Sequence, residues 1–286
     1  MPAGRRPSTR GGTREGFPAV LPYMGSMRSV RAIAHLGLCV LLTMAVVQPL
    51  TLPSAQAAAP IRMGYIGISS DAGIFIALDK GFFKEQGVEL ALERFGLGAD
   101  QMALLGSGRL EIASGALGPR LFNAVARGLP ISAVADKGSF RKGFGFKVLV
   151  VRKALVDSGQ VLPDFQMSLI YYNAQWAREH GDEARRWMTA YVQGVRYYNR
   201  AFTDAKARDE VITILAARPP VKDRVVYDKM IWPGLNPNGT IAPRTMLDFE
   251  RWLLNTRQIT EFITPSRFVD ESFTEHAAKV LGPTAP

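Results

Sequence analysis

Cysteine is almost absent from this sequence of 286 residues. The one cysteine, Cys39, lies within an uncharged apolar run at residues 36–47. If this run is removed during export, the remaining chain has no thiol. That excludes disulfide bonds, thiolate metal sites and cysteine nucleophiles together, and it suits an oxidising compartment outside the cytoplasm.

Concentrated positive charge is also absent, although the formal net charge is +10. The first 57 residues contain six Arg and one Glu, which leaves 29 basic and 24 acidic residues, or a net charge of about +5, in the rest. Those basic residues are scattered and form only short pairs, such as Arg141-Lys142 and Arg152-Lys153. A nucleic-acid-binding surface needs a stripe of basic residues interleaved with aromatic ones. We therefore predict no nucleic-acid partner.

Motifs for catalysis and metal binding are missing as well. After residue 57 the chain has two histidines, His180 and His276, and neither stands at a metal-ligand spacing. Segment 96–101 has the first two glycines of a dinucleotide-binding fingerprint, but Gln101 stands where the third belongs. No phosphate-binding loop, nucleophile elbow or paired-carboxylate arrangement appears. We predict no catalytic residue, no metal and no cofactor.

The first 57 residues show the order of features that is typical of a secretory signal peptide. Arg28 and Arg31 precede the apolar run, and Ala55, Gln56 and Ala57 follow it in the A-x-A pattern. We expect a signal peptide at residues 27–57, cleavage after Ala57 and a periplasmic mature chain. Residues 1–26 are interpreted as a disordered extension or a misassigned start. An uncleaved membrane anchor is the alternative, but the run is shorter than the roughly 20 apolar residues that span a bilayer.

Residues 61–151 alternate between strand-like and helix-like stretches, the pattern of an α/β layer. Strands are predicted at residues 61–67, 88–95, 110–113, 131–135, 146–151 and 167–172. Beyond them the spacing of apolar residues predicts helices at residues 174–179, 182–202, 207–217, 223–232, 243–255 and 267–280. We expect the first strands to form a single parallel sheet.

Three phrases carry a family likeness: IRMGYI at residues 61–66, IALDKGFFKEQGV at residues 76–88 and LGSGRLEIA at residues 105–113. Together they resemble the periplasmic solute-binding proteins of ABC importers, in the group that binds nitrate, sulfonates, taurine and thiamine precursors. The likeness covers most of residues 61–280. It implies the type II periplasmic binding protein fold, whose two α/β lobes close over a small-molecule solute. It also implies an ABC permease in the inner membrane as the partner.

Much of the second lobe is missing from the sequence. Only about 15 residues separate the strand at 146–151 from the one at 167–172, whereas a second lobe needs several βα units, or roughly 80 residues. The predicted fold is α/β, with one intact lobe at residues 58–145, hinge strands at 146–172 and a helical C-terminal part at 173–286. An internal deletion and a natural form with one and a half lobes both remain open.

Candidate ligand-binding residues follow three predicted strands, because ligands of open α/β sheets bind at the carboxyl ends of strands. They are Ser69, Ser70 and Asp71 after the first strand, Ser114, Gly115 and Ala116 after the third, and Asp136 and Lys137 after the fourth. Hydroxyls and free N–H groups at a helix N-terminus suit an anionic or polar group. The alternatives are a helix cap, a strand-to-loop turn and a surface turn, respectively. Tyr171 and Tyr172 are predicted to be aromatic core, with lining of the cleft from the returning strand as the alternative.

These observations predict a monomeric periplasmic receptor that binds a small polar or anionic solute and presents it to the permease. Because most of the second lobe is absent, we expect this chain to bind weakly or not at all. One rival is a secreted enzyme similar to the thiamine-pyrimidine synthases, which would need a nucleophile and a base. The other is a truncated, non-binding protein that self-associates through Phe140, Phe144 and Phe146.

Overall fold

The computed structural model describes residues 59–96, 100–141, 143–145, 148–151, 154–157, 164–218, 221–282 and 284. The signal peptide predicted at residues 27–57, its cleavage after Ala57, the segment 1–26 and Phe146 lie outside the described residues. Within the described ranges, no helix has the length and apolar character needed to cross a membrane.

Five of the described strands form one sheet in the order β2–β1–β3–β7–β4, and two more form a separate hairpin, β5–β6. Their bounds are β1 (Ile61–Tyr65), β2 (Leu90–Arg94), β3 (Ile112–Ala116), β4 (Ile131–Ser139), β5 (Val148–Val151), β6 (Ala154–Asp157) and β7 (Gln166–Asn173). β1 is parallel to β2 and β3, whereas β7 is antiparallel to β3 and β4. The expectation of a single parallel sheet is therefore wrong. The chain leaves β4 at the carboxyl edge of the parallel strands and re-enters there as β7, so β7 must run in the opposite direction.

Helices cover both faces of this sheet. They are α1 (Ala72–Asp79), α2 (Phe82–Glu85), α3 (Gln101–Gly106), α4 (Pro119–Ala126), α5 (Ala174–Glu179), α6 (Gly181–Arg200), α7 (Ala205–Ala216), α8 (Arg224–Lys229), α9 (Pro243–Asn255) and α10 (Ser272–Leu281). α9 has the predicted bounds. α10 begins later than predicted, because Phe268 and Asp270 make backbone hydrogen bonds of 2.7 and 2.9 Å to Ala133 of β4, which keep that segment out of a helix.

β4 continues to Ser139, beyond its predicted end at residue 135. Asp136 and Lys137 therefore lie in a buried strand, and the surface-turn interpretation of these two residues is wrong. The strand extends because β7 supplies backbone partners along this stretch, with Asp136 opposite Leu169 and Gly138 opposite Ser168.

Side chains on the two faces of the sheet enter two separate hydrophobic clusters. Neighbouring residues alternate between them, as the pleat requires: Ile112 and Tyr172 belong to the cluster beside α1 and α6, and Ala113 and Tyr171 to the cluster beside α4 and α9. Tyr171 and Tyr172 are fully buried, which confirms the aromatic-core prediction. The C-terminal helices thus complete the core of the same lobe.

Two of the three phenylalanines that were candidates for self-association, Phe140 and Phe144, have partners within the chain. Phe140 is buried, and its ring lies 5.9 Å from that of Phe165. Phe144 is half-buried and packs edge-to-face on Phe202 at 4.9 Å between ring centroids. An exposed interface built on Phe140 is therefore wrong, because that side chain already lies in the core.

Helix α6 approaches α1 closely because both helices have a glycine at the contact. A Cβ atom placed on Gly194 would lie 2.1 Å from the carbonyl oxygen of Gly73, and one placed on Gly73 would lie 2.6 Å from Val195. This contact holds α1 in position, and with it the 3-10 turn Ser69–Asp71 that leads directly into α1.

We expect Gly194→Ala to lower the free energy of unfolding by about 1–3 kcal/mol, because the added methyl group meets backbone that moves only if α1 moves. Urea denaturation followed by circular dichroism measures this change. Gly181→Ala is a matched control in the same helix, since the nearest atom to its Cβ would be 3.6 Å away. Alanine is the better helix former, so the control is expected to be neutral or stabilising. Equal stability of the two variants would contradict a tight α1–α6 contact.

Candidate functional site

The three candidate segments meet at the carboxyl edge of the sheet. The turn Ser69–Asp71 follows β1, Ser114 lies near the end of β3, and Lys137 lies near the end of β4. The side chains are in direct contact, because the Ser114 hydroxyl donates to Asp71 Oδ1 at 3.0 Å. The sequence therefore places all three segments at the correct edge, although the sheet is mixed.

An ion pair between Asp71 and Lys137 lies at the centre of this edge. Lys137 Nζ is 2.9 Å from Asp71 Oδ1, and both side chains are fully buried. Lys137 Nζ also donates to the Ser70 hydroxyl at 3.0 Å. Asp71 Oδ2 accepts backbone N–H groups of Gly67 at 2.8 Å and Ile68 at 3.0 Å. Such dense hydrogen bonding is what a buried charge pair requires to be tolerated.

Gln101 fixes the end of β3 beneath the ion pair. Its side-chain oxygen accepts from the backbone N–H of Ser114 at 3.2 Å, and its nitrogen donates to the Ser114 carbonyl at 3.1 Å. A Cβ atom on Gly64 would lie 2.5 Å from this side-chain oxygen, so any larger residue there would require the Gln101 side chain to shift. Sequence reasoning missed this role, because Gln101 was judged only as an interruption of a glycine motif.

Asp136 precedes Lys137 in β4, is buried, and is hydrogen-bonded to donors only. Its carboxylate accepts from Gln166 Nε2 at 2.7 Å, from Asn236 N at 2.8 Å and from Gly138 N at 3.1 Å. Burial raises the pKa of Asp136 above its usual range, while these hydrogen bonds oppose the rise. Burial, followed by the charges of Asp136 and Asp71, raises the pKa of Tyr191 well above its usual value, so its hydroxyl stays protonated and donates to the Asp136 carbonyl at 2.7 Å.

The candidate residues thus fall into two groups. Ser70, Asp71, Ser114, Asp136 and Lys137 are buried and engaged with protein partners, and Gly115 is buried in its pairing with Leu169. Only Ser69, half-buried, and Ala116, exposed, present surface to solvent. The buried group therefore shapes the edge from within.

An open polar cavity of about 370 Å³ lies next to Asp136. Gln166 joins the two features, since it bonds to Asp136 and also lines the cavity. The complete lining is Ser139, Arg141, Asp164, Gln166, Asn236, Thr240, Ile241 and Ala242. Sequence reasoning missed this cavity, because its walls come from three distant segments and Arg141 stood out only as part of a short basic pair.

The acidic side chains at this edge already have hydrogen-bond partners within the protein. Among the described residues, no group of three or more His, Cys, Asp or Glu side chains is placed to hold an ion. The carboxylates of Asp71 and Asp136 already accept hydrogen bonds from Lys137 and from backbone and amide N–H groups.

The sheet order and the polar carboxyl edge define an α/β lobe of the kind that binds ligands at strand ends. The family model described as NMT1/THI5 like matches residues 69–138, which include all three candidate segments. No curated protein sequence matches the chain.

Solved structures share the fold across most of their length. The ligand-binding component of an ABC-type import system from Staphylococcus aureus, solved with zinc bound, is 14% identical, with a TM-score of 0.60 over 76% of this chain and 98% of that chain. The nitrate-binding protein NrtA from Synechocystis is 11% identical, with a TM-score of 0.59 over 78% and 89%. The aliphatic sulphonate binding protein SsuA from Escherichia coli is 12% identical, with a TM-score of 0.53 over 74% and 92%. The chain has the periplasmic binding protein fold, and the predicted resemblance to solute-binding proteins of ABC importers is confirmed.

We expect Lys137→Met to lower the free energy of unfolding by about 3 kcal/mol, because it leaves the Asp71 carboxylate buried without its counter-ion. The loss should be the same at low and high salt, since buried pairs are screened little. Lys84→Met on α2, where the lysine is exposed, is the control and should change stability by less than about 0.5 kcal/mol. A loss below about 1 kcal/mol for Lys137→Met, or one that salt abolishes, would contradict a buried ion pair at this position.

Proposed function

We propose that this chain is an extracytoplasmic solute-binding component of an ABC importer, and that its solute is small and polar or anionic. One observation carries the proposal: three polar strand ends, at Asp71, Ser114 and Lys137, meet at the carboxyl edge of a periplasmic binding protein sheet. The nitrate-binding and sulphonate-binding proteins that share the fold support an anionic solute. The partner is then a permease in the inner membrane, and the receptor acts as a monomer.

Binding fits this edge better than catalysis. Asp71 and Lys137 are buried and bonded to each other, so neither is available as a general base or a nucleophile at an open site. The hydroxyls of Ser70 and Ser114 are likewise bonded to Lys137 and Asp71. Such a network fixes backbone geometry at a ligand edge, which is the requirement for recognition.

We further propose that binding is weak. Between β4 and β7, the described residues contain only the hairpin β5–β6. A solute at the carboxyl edge would therefore stay open to water on one side, whereas small-molecule sites usually bury roughly 70–90% of the ligand surface. In two-lobed receptors, ligand contacts favour the closed state, and this contribution is lost with the second lobe.

Titration of the chain from residue 58 onward with nitrate, taurine, methanesulfonate and the aminopyrimidine precursor of thiamine tests the function. We expect at least one anion to bind with a dissociation constant in the millimolar range, or about −4 kcal/mol. Amide chemical shifts in NMR detect such binding, with sodium chloride at the same ionic strength as the control. Micromolar affinity would contradict the proposal that binding is weak. No response to any of the four compounds would contradict the receptor itself.

Expression of all 286 residues in a Gram-negative host tests the proposed export. We expect the chain in the periplasmic fraction with Ala58 as its first residue, because the apolar run enters the membrane and the chain is cut after the small residues. Intact mass measures the position of the cut. Ala57→Tyr is expected to block cleavage, since the signal peptidase accepts only small residues there. Retention of the unchanged protein in the cytoplasm would contradict the signal peptide.

A further inference from the structure

The cavity beside Asp136 is built before any solute arrives, because backbone hydrogen bonds join its walls. Ser139 N donates to the Gly234 carbonyl at 2.9 Å, which ties the end of β4 to the loop before α9. Phe140 N donates to the Phe165 carbonyl at 2.9 Å, which ties it to the start of β7. A pocket with fixed walls loses little conformational entropy when a ligand binds.

Arg141 is held at the mouth of this cavity. Its backbone pairs with Phe144 through hydrogen bonds of 3.2 and 2.8 Å, and its Nε donates to the Ser139 hydroxyl at 3.3 Å. Gly234 allows the close approach, since a Cβ atom there would lie 2.9 Å from the Ser139 carbonyl and 3.5 Å from Arg141 Cγ. The terminal nitrogens Nη1 and Nη2 make no hydrogen bond or ion pair with the residues that the structure describes, and the charge of Arg141 opposes the rise in the pKa of Asp136.

The other polar groups of the cavity are mainly donors. Asn236 Oδ1 accepts from Asn238 N at 2.9 Å, and this bond orients the amide and leaves its NH₂ group without a partner within the described ranges. The Thr240 hydroxyl is exposed and also unpaired there. Two carboxylates lie nearby: Asp136, whose oxygens are occupied by N–H donors, and Asp164, which is exposed at the rim. The free hydrogen-bonding capacity of the cavity therefore suits an acceptor.

We propose that this cavity binds the oxyanion group of the solute, a sulfonate or a carboxylate, with Arg141 as the charged contact and Asn236 and Thr240 as hydrogen-bond donors. The proposal rests on the receptor function and shifts the direct contact from the buried Asp71–Lys137 pair to the neighbouring cavity. A guanidinium group matches the planar and tripodal oxygens of such anions with two parallel hydrogen bonds. The volume of about 370 Å³ lies within the range of small-molecule sites.

NMR titration with methanesulfonate, and with dimethyl sulfone as the uncharged analogue of similar shape, tests the assignment. We expect Arg141→Gln to weaken methanesulfonate binding roughly ten- to a hundred-fold, because a charge-assisted hydrogen-bond pair is lost. Arg141→Lys should weaken it less, since the charge remains. The affinity for dimethyl sulfone, which carries no charge, should be the same in both variants. Arg127→Gln removes an exposed arginine that lines a different cavity, and it should leave the affinity unchanged.

Thr240→Val is the second variant, because its side chain is exposed and the exchange keeps its volume. It should weaken methanesulfonate binding roughly three- to ten-fold, through loss of one hydrogen bond, and it keeps the assignment testable if Arg141→Gln does not fold. If the wild type binds methanesulfonate and these variants bind equally well, the cavity assignment is wrong while the receptor function stands. If the wild type responds to no anion, the receptor function fails and the assignment fails with it.

Discussion

The buried pair of Asp71 and Lys137 is the interaction on which the carboxyl edge depends. It joins the turn after β1 to the last part of β4, two segments that are separated in the sheet by β3 and β7. Ser114 connects β3, one of the two strands between them, because its hydroxyl bonds to the same carboxylate oxygen. Removal of either charge leaves the other one buried and unpaired, which is far more costly than the pair itself is stabilising. The three segments of this edge therefore depend on one another for their positions.

The position of β7 makes it a central strand of the sheet and of the core. β7 is an interior strand with partners on both sides, and its two faces contribute Tyr172 and Tyr171 to the two core clusters. Helices from the C-terminal half cover both clusters, so the chain after the hairpin belongs to the same core as the chain before it. The core therefore depends on β7 lying between β3 and β4.

For ligand recognition, the important distinction is between residues that shape the edge and residues that face solvent. Asp136 shows the difference: its carboxylate is saturated by N–H groups, yet one of those donors, Gln166, forms the wall of an open cavity. Arg141 then carries the positive charge that the cavity presents. In the proposed receptor, the buried network provides rigidity, and the adjacent cavity provides the contacts and the preference for an anion.

The sequence by itself determined the α/β class, the positions of most strands and helices, and the edge at which Ser70, Asp71 and Ser114 meet. These features follow from local periodicity, capping residues and turn glycines, which a linear pattern contains. The tertiary structure alone decided that β7 lies antiparallel between β3 and β4, that Lys137 is buried against Asp71, and that Arg141 borders a cavity. Each of these depends on which distant segments become neighbours, and no local pattern encodes the strand order that brings residue 137 to residue 71.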